Sequence, residues 1–397
     1  MNRCKPLATT ILAALVLVLA SCGGGSGVGS GGTGLMAGGG VGSGGTGISV
    51  GPITGFGSIF VNGVEYDTSG ATVEIEDASE LQLGMTVEVA GSVNGSFTAG
   101  AATRIVSAAD LRGAVDAIDM AGNSLRVLGT TVVLDSTTVF TGVSGIAGLV
   151  VGDVLQVYGL LAAPGTVRAT RLEKLAPGAP LVVSGTVAAM DTLLQTFRLG
   201  DLTVDYSAAS LLGGLDPGQL LDGLQVRVRA GAALAGGNMV ATQIRPWYTP
   251  PQPNAAVATL SAPVTDFASL SDFRLLGVPV DASNATIAGG PAGAVGNGVT
   301  VDASGTMRDG TLVAAKLKIR HIPGGGGVSA FNLQGAVGAF VSVAEFRVQG
   351  RRVDASSPSV TVEGGTLGGL GNGVRVNIVG AQVVDGVLIA DQVNFLP

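Results

Sequence analysis

The sequence predicts an all-β protein, a tandem array of five small OB-like β-barrels or compact β-sandwiches of about 60–75 residues each. Three observations carry that prediction. One pattern of turns and strands returns five times from about Gly51 onward. Apolar and polar residues alternate with period two in "TVEVAG" (86–91), "VLQVYG" (154–159), "LQVRVRA" (224–230) and "GVRVNIVG" (373–380), which gives a strand one buried and one wet face. The composition is rich in turn-formers, with 66 glycines, and no convincing amphipathic helix follows the first 20 residues.

The chain opens on a different kind of element. Residues 1–21 read as a signal peptide, with Arg3 and Lys5 ahead of the apolar core Ile11–Ala20. That core is half the length of the roughly 20 residues a spanning helix needs. Its end, Leu19-Ala20-Ser21-Cys22, resembles the lipobox of bacterial lipoproteins. The resemblance implies cleavage before Cys22 and lipid attached through its sulfur. Gly23 in the next position implies an outer-membrane destination. Residues 22–50 are then a lipidated cysteine and a glycine-rich tether, in which "VGSGGTG" occurs at 28–34 and again at 41–47. "GVGSGG" (27–32) matches the G-x-G-x-x-G of a dinucleotide turn, but no strand precedes it and no helix follows. With Cys4 removed and Cys22 lipidated, no disulfide is expected.

The repeats follow in order, at 51–110, 111–175, 181–248, 255–322 and 328–397. Each has an early strand ending in a glycine turn: "IFVNG" (59–63), "LRVLG" (125–129), "FRLG" (197–200), "FRLLG" (273–277) and "FRVQG" (346–350). An aspartate then closes a second strand, at Asp67, Asp135, Asp205, Asp281 and Asp354. A third element begins at Gly84, Gly152, Gly223, Gly296 and Gly371, with apolar residues three and five places later. Each copy closes as "ATRI" (102–105) does. Asn94-Gly95, Asp309-Gly310 and Asp385-Gly386 predict tight type I′ hairpins, because both central residues need positive φ. Five strands per copy are expected. "APGAP" (176–180), "TPPQPN" (249–254) and "PGGGG" (323–327) punctuate the later joints.

This order of features resembles an exported bacterial family, domain of unknown function 5666 (DUF5666), over about residues 51–397. It is clearest in copies two, four and five and weaker in copy three, where "FRLGD" is one residue tight before the turn. The resemblance implies a β-rich repeat of lipid-anchored envelope proteins and supplies no catalytic residues.

The residues argue mostly against chemistry. The only histidine, His321, stands beside a joint, and one histidine without a thiol makes neither a zinc site nor a supported triad. The recurrent aspartates Asp67, Asp135, Asp205, Asp281 and Asp354 are the strongest candidate site. Each has Ser or Thr within two residues, so an Asx-turn stands beside a weak calcium or partner contact repeated in each unit. Glu74 and Glu76, in "VEIEDASE" (73–80), read as a wet strand face. Trp247-Tyr248 reads as a packing anchor between copies three and four, and Phe60, Phe197, Phe273 and Phe346 as core. Loss of Arg3 and Lys5 would take 21 basic residues to 19 against 28 acidic, which argues against nucleic acid. The expected function is a lipid-anchored, non-enzymatic binding or scaffolding module. It would have no cofactor beyond weak calcium, and as partners the membrane and an envelope polymer or protein. The alternative is a structural surface or matrix component without a specific ligand.

Overall fold

The computed structural model describes residues 46–397, except 232, 249, 250, 252, 256 and 323–329. The signal peptide, Cys22 and the tether as far as residue 45 lie outside the described residues. No α-helix occurs among those described; four 3₁₀ turns interrupt an otherwise all-β chain.

The first repeat sets the plan. Its strands are β1 (Thr46–Phe56), β2 (Ile59–Val61), β3 (Val64–Asp67), β4 (Thr72–Ile75), β5 (Thr86–Val93) and β6 (Ala99–Ser107). β1 pairs antiparallel with β2 and β5, β2 with β3, and β5 with β6. β3 and β4 both run parallel to β6. The same order recurs in every repeat. Six strands therefore replace the expected five in the first four repeats, because the short stretch after each aspartate finds the last strand as a parallel partner. β1 also starts at Thr46, so 46–50 belong to the sheet and not to the tether.

The expectation of separate OB-like barrels or sandwiches is corrected. The repeats are windings of one β-solenoid, with all 32 strands in a single hydrogen-bonded array. β1 runs parallel to Ala258–Ser269 of repeat 4 and to Phe331–Ser342 of repeat 5. Leu111–Asp119 of repeat 2 pairs with Val182–Asp191 of repeat 3. The cores merge in the same way. Leu155 and Val157 of repeat 2 share one cluster with Phe197 and Val226 of repeat 3. Val61 and Val89 of repeat 1 share another with Phe346 and Ile378 of repeat 5. Repeat 4 takes in Ile48 and Val50 from β1 and Leu160 from repeat 2. Units this small, with few aromatics and no disulfide, bury too little surface alone, and sharing a core supplies the remainder.

Ion pairs lock the first three repeats. Asp77, almost fully buried, meets Arg112 Nη2 at 2.5 Å, Arg227 Nη2 at 2.5 Å and Arg229 Nη2 at 2.9 Å. Its Oδ2 also accepts the Ala109 N–H at 2.9 Å. Burial works against the ionised form, but Arg227, that N–H, Arg229 and Arg112 together hold the carboxyl below its ordinary range.

Local chemistry explains the hairpins. In four repeats both central residues of the β2–β3 turn have positive φ: Asn62-Gly63, Leu128-Gly129, Leu276-Gly277 and Gln349-Gly350. Repeat 3 instead puts Gly200 first and Asp201 second, and only Gly200 has positive φ. Its shorter "FRLGD" therefore makes the mirror-type II′ turn rather than I′. Asp309-Gly310 and Asp385-Gly386 form the predicted two-residue turns. Asn94-Gly95 does not. The Asn94 Oδ1 accepts the Thr98 N–H at 3.0 Å and organises a longer loop between Val93 and Gly100.

Two sequence registers shift. The third-element glycine donates its N–H to the first strand in each repeat, at Gly84, Gly152, Gly223, Gly298 and Gly373. In copies four and five the marker is thus Gly298 and Gly373, not Gly296 and Gly371. Phe60 is only half-buried, and Ile59 takes the core position held elsewhere by Phe197, Phe273 and Phe346. One residue of offset moves a side chain to the opposite face.

Candidate functional site

The five aspartates do the same local work. Oδ1 of each accepts the N–H two residues on: Ser69 to Asp67 at 2.9 Å, Thr137 to Asp135 at 2.8 Å, Ser207 to Asp205 at 2.9 Å, Ser283 to Asp281 at 2.9 Å and Ser356 to Asp354 at 2.8 Å. The Ser69 N–H with its hydroxyl, and the Ser207 and Ser283 hydroxyls with their N–H groups, hold Asp67, Asp205 and Asp281 below the ordinary carboxylate range. The fold keeps the five apart, one per repeat. Among the described residues no group of three or more His, Cys, Asp or Glu side chains is arranged to hold a metal ion. Cys22 lies outside the described residues.

Asp135 differs from the other four. Repeat 2 has two extra residues between its turn glycine and its aspartate, which carries Asp135 to a half-buried place beside Arg168. Arg168 Nη1 lies 3.2 Å from Asp135 Oδ2 and 3.0 Å from His321 Nε2. A guanidinium has only donors, so His321 Nε2 accepts and the ring proton is assigned to Nδ1. Burial, then Arg168, push the His321 pKa below its usual 6.5, against the opposing pull of Asp135. For Asp135 burial opposes ionisation, yet the Thr137 hydroxyl and N–H and Arg168 keep its pKa low.

Arg168 and His321 border a cavity of about 280 Å³ that four repeats build together. Repeat 1 contributes Thr54 and Asn62, repeat 2 Arg168, repeat 4 Thr300, Arg320 and His321, and repeat 5 Phe331. The strand register explains one pair, since Thr300 and His321 stand opposite each other at the ends of adjacent strands. Arg320 Nε donates to Asp302 and Nη2 to the Phe97 carbonyl. Its Nη1 lies against Gly63, 3.4 Å from where a Cβ would stand. Asp302 is fully buried, and burial raises its pKa although Arg320 and the Ser261 hydroxyl oppose the shift. The Thr300 hydroxyl is buried with no hydrogen-bond partner. Such an orphan costs about 1–3 kcal/mol unless something occupies the space beside it.

The cavity therefore offers two guanidiniums tethered by carboxylates, a neutral imidazole and hydroxyls. That set suits hydrogen bonding to a polar ligand. The Thr137 hydroxyl donates to Asp135 at 2.6 Å and the Thr170 hydroxyl to the Tyr158 carbonyl at 3.1 Å. A second depression of about 250 Å³ adjoins it, lined by Asp135, Phe331 and Asp385. The sequence reading did not single out Arg168, Arg320 or Thr300, because nothing local marks residues that meet only across repeats.

Trp247-Tyr248 ties repeats together, as an anchor would. The Trp247 Nε1–H donates to Asp110 Oδ1 at 3.1 Å, and Tyr248 packs against the repeat 4 core. Glu74 stays near the surface, paired with Arg104 at 2.8 Å, whereas Glu76 turns into the arginine cluster.

Comparison with known proteins adds a family and little else. A family model described as a domain of unknown function (DUF5666) matches residues 50–105, 112–173, 184–245 and 261–318. The four matches fall on the first four repeats. The fifth shows the same strand order without a match. No curated protein matches the chain.

Proposed function

Because the chain belongs to the DUF5666 family, which brings no assigned chemistry, we propose a function from its own geometry. It is a lipid-anchored protein of the cell envelope, held at the outer membrane through Cys22. Its repeats act as a non-enzymatic binding and scaffolding module for a polar envelope polymer or protein. The observation that carries this reading is the cavity built by four repeats around Arg168, Arg320 and His321, with the Thr300 hydroxyl unpartnered at its wall. A site that exists only when distant repeats are assembled couples ligand to architecture, since a ligand bound by the folded state alone stabilises it.

Thermal unfolding of the chain carrying Cys22→Ser tests the reading against glycans, peptidoglycan fragments and calcium. A rise in Tm with at least one ligand, lost in Arg168→Gln, is expected. No rise with any of them, together with concentration-dependent oligomers, contradicts it and favours a matrix component. Membrane fractionation tests the anchor separately: Cys22→Ser releases the protein, and continued membrane retention contradicts the assignment.

A further inference from the structure

We propose that a second cavity, walled by arginines at the joint of repeats 1 and 3, binds one oxyanion group, a carboxylate or a phosphate. The inference does not depend on the central cavity. The space is about 170 Å³ and is lined by Glu76, Leu212, Arg227, Arg229, Gln243 and Arg245. That volume suits a single phosphate or sugar carboxylate.

Charge makes the case. The chain as a whole carries a formal charge of −7, yet four guanidiniums converge here on two carboxylates. Arg112, Arg227 and Arg229 share Asp77, while Arg227, Arg229 and Arg245 share Glu76. The neighbouring Glu74 is already paired with Arg104, and Glu173 with Arg171. Asp110, bonded to Thr86, Gly159 and Trp247, and Glu88, 3.9 Å from Arg104, are the other nearby carboxyls and balance the wider cluster. At the cavity wall itself three guanidiniums, Arg227, Arg229 and Arg245, stand with the single carboxylate of Glu76. A partly buried surplus of cations is costly, and an incoming anion is the ligand that removes the cost.

Geometry directs the surplus toward the cavity. Arg227 and Arg229 are two residues apart on one strand and so share a face. Arg227 is held at every nitrogen, its Nε donating to the Ala109 carbonyl at 3.0 Å. Arg229 and Arg245 are about one-quarter exposed. Arg245 Nη2 is buried and makes no hydrogen bond; its 2.5 Å approach to Glu76 Oε1 is an ion pair without that alignment. Trp247 braces the group, with the Arg245 and Arg227 guanidiniums 5.1 and 5.3 Å from its ring centroid. Braced arginines with donors to spare are the usual recognition element for carboxylate and phosphate oxygens.

Titration calorimetry on the full chain tests the site, with inorganic phosphate and glucuronate as probes and chloride at matched ionic strength as control. The expected result is one phosphate or one glucuronate per chain. Its affinity should fall about tenfold or more in Arg229→Gln and in Arg245→Gln and survive in Thr300→Val. The stronger of the two probes identifies the group. Binding no better than chloride overturns the proposal, as does binding with many sites per chain. Binding abolished by Thr300→Val and kept in the arginine variants belongs to the central cavity and also overturns it. If either arginine variant fails to fold, one-site binding kept in Thr300→Val supports the proposal and its loss there overturns it.

Discussion

At the residue scale, half-buried His321 and buried Asp110 are shifted in opposite senses, and each has its own reporter. His321 is the only histidine, and its pKa in the fold is below 6.5. The unfolded chain therefore binds the proton more readily, so the contribution of His321 to stability is intact above pH 6.5 and is lost as pH falls below it. The imidazole of the only histidine should titrate in proton NMR with a midpoint below pH 6.5; a midpoint at or above 6.5 contradicts the Arg168 contact. Asp110 behaves in reverse. Burial first, against hydrogen bonds from Gly159, Thr86 and Trp247, pushes its pKa to about 6. Its contribution is present below the ordinary value of 3.8 and is lost as pH rises through about 6. Trp247 is the only tryptophan and donates to Asp110, so its fluorescence should change with a midpoint near pH 6. A flat profile from pH 4 to 8 contradicts that. The Asx-turns at the five aspartates were legible because their partners lie two residues away. The Arg168, Arg320 and Thr300 grouping was not, because it exists only where four repeats meet.

At the element scale, the alternation and turn dipeptides made the strands legible, and the strand ends needed the structure. The residue closing the fifth strand's apolar run sits at a bulge: Gly91, Gly159, Ala230 and Gly305 in the first four repeats. A Cβ at Gly305 would stand 2.0 Å from the Val313 carbonyl oxygen, and one at Gly91 2.1 Å from the Ala101 oxygen. Repeat 3 carries Ala230 at the same register shift, so its backbone accommodates a Cβ there. Chemical denaturation should show Gly305→Ala destabilised by about 1–3 kcal/mol. Ala230→Gly should lose only about 0.5–1 kcal/mol, the entropic penalty of glycine in a strand. Equal losses at the two positions would contradict the bulge geometry. The missed short strand, Thr72–Ile75 and its counterparts, has a physical reason. It is three or four residues long in most repeats, mostly exposed, and stabilised by a parallel partner some 30 residues away, so no local pattern announces it.

At the scale of the whole molecule, repetition was visible in the sequence and assembly was not. Five similar apolar faces are equally consistent with five closed units and with one array. What decides is pairing across repeat boundaries, written in no single segment: β1 with strands of repeats 4 and 5, and the repeat 1 core with the repeat 5 core. The acidic stretch "VEIEDASE" illustrates the difficulty, since Glu76 and Asp77 look solvated until arginines of repeats 2 and 3 close on them. The central claim is that the repeats are one body, and removing one should expose another. Hydrogen exchange measured on the full chain and on a chain ending at Ile322 tests this most directly. Loss of Phe331, Leu333, Phe346 and Ile378 should strip protection from Val61, Tyr66 and Val89 of repeat 1, while the shared core of repeats 2 and 3 keeps its own. Unchanged protection throughout repeat 1 would mean that the repeats fold as separate domains, and would contradict the account.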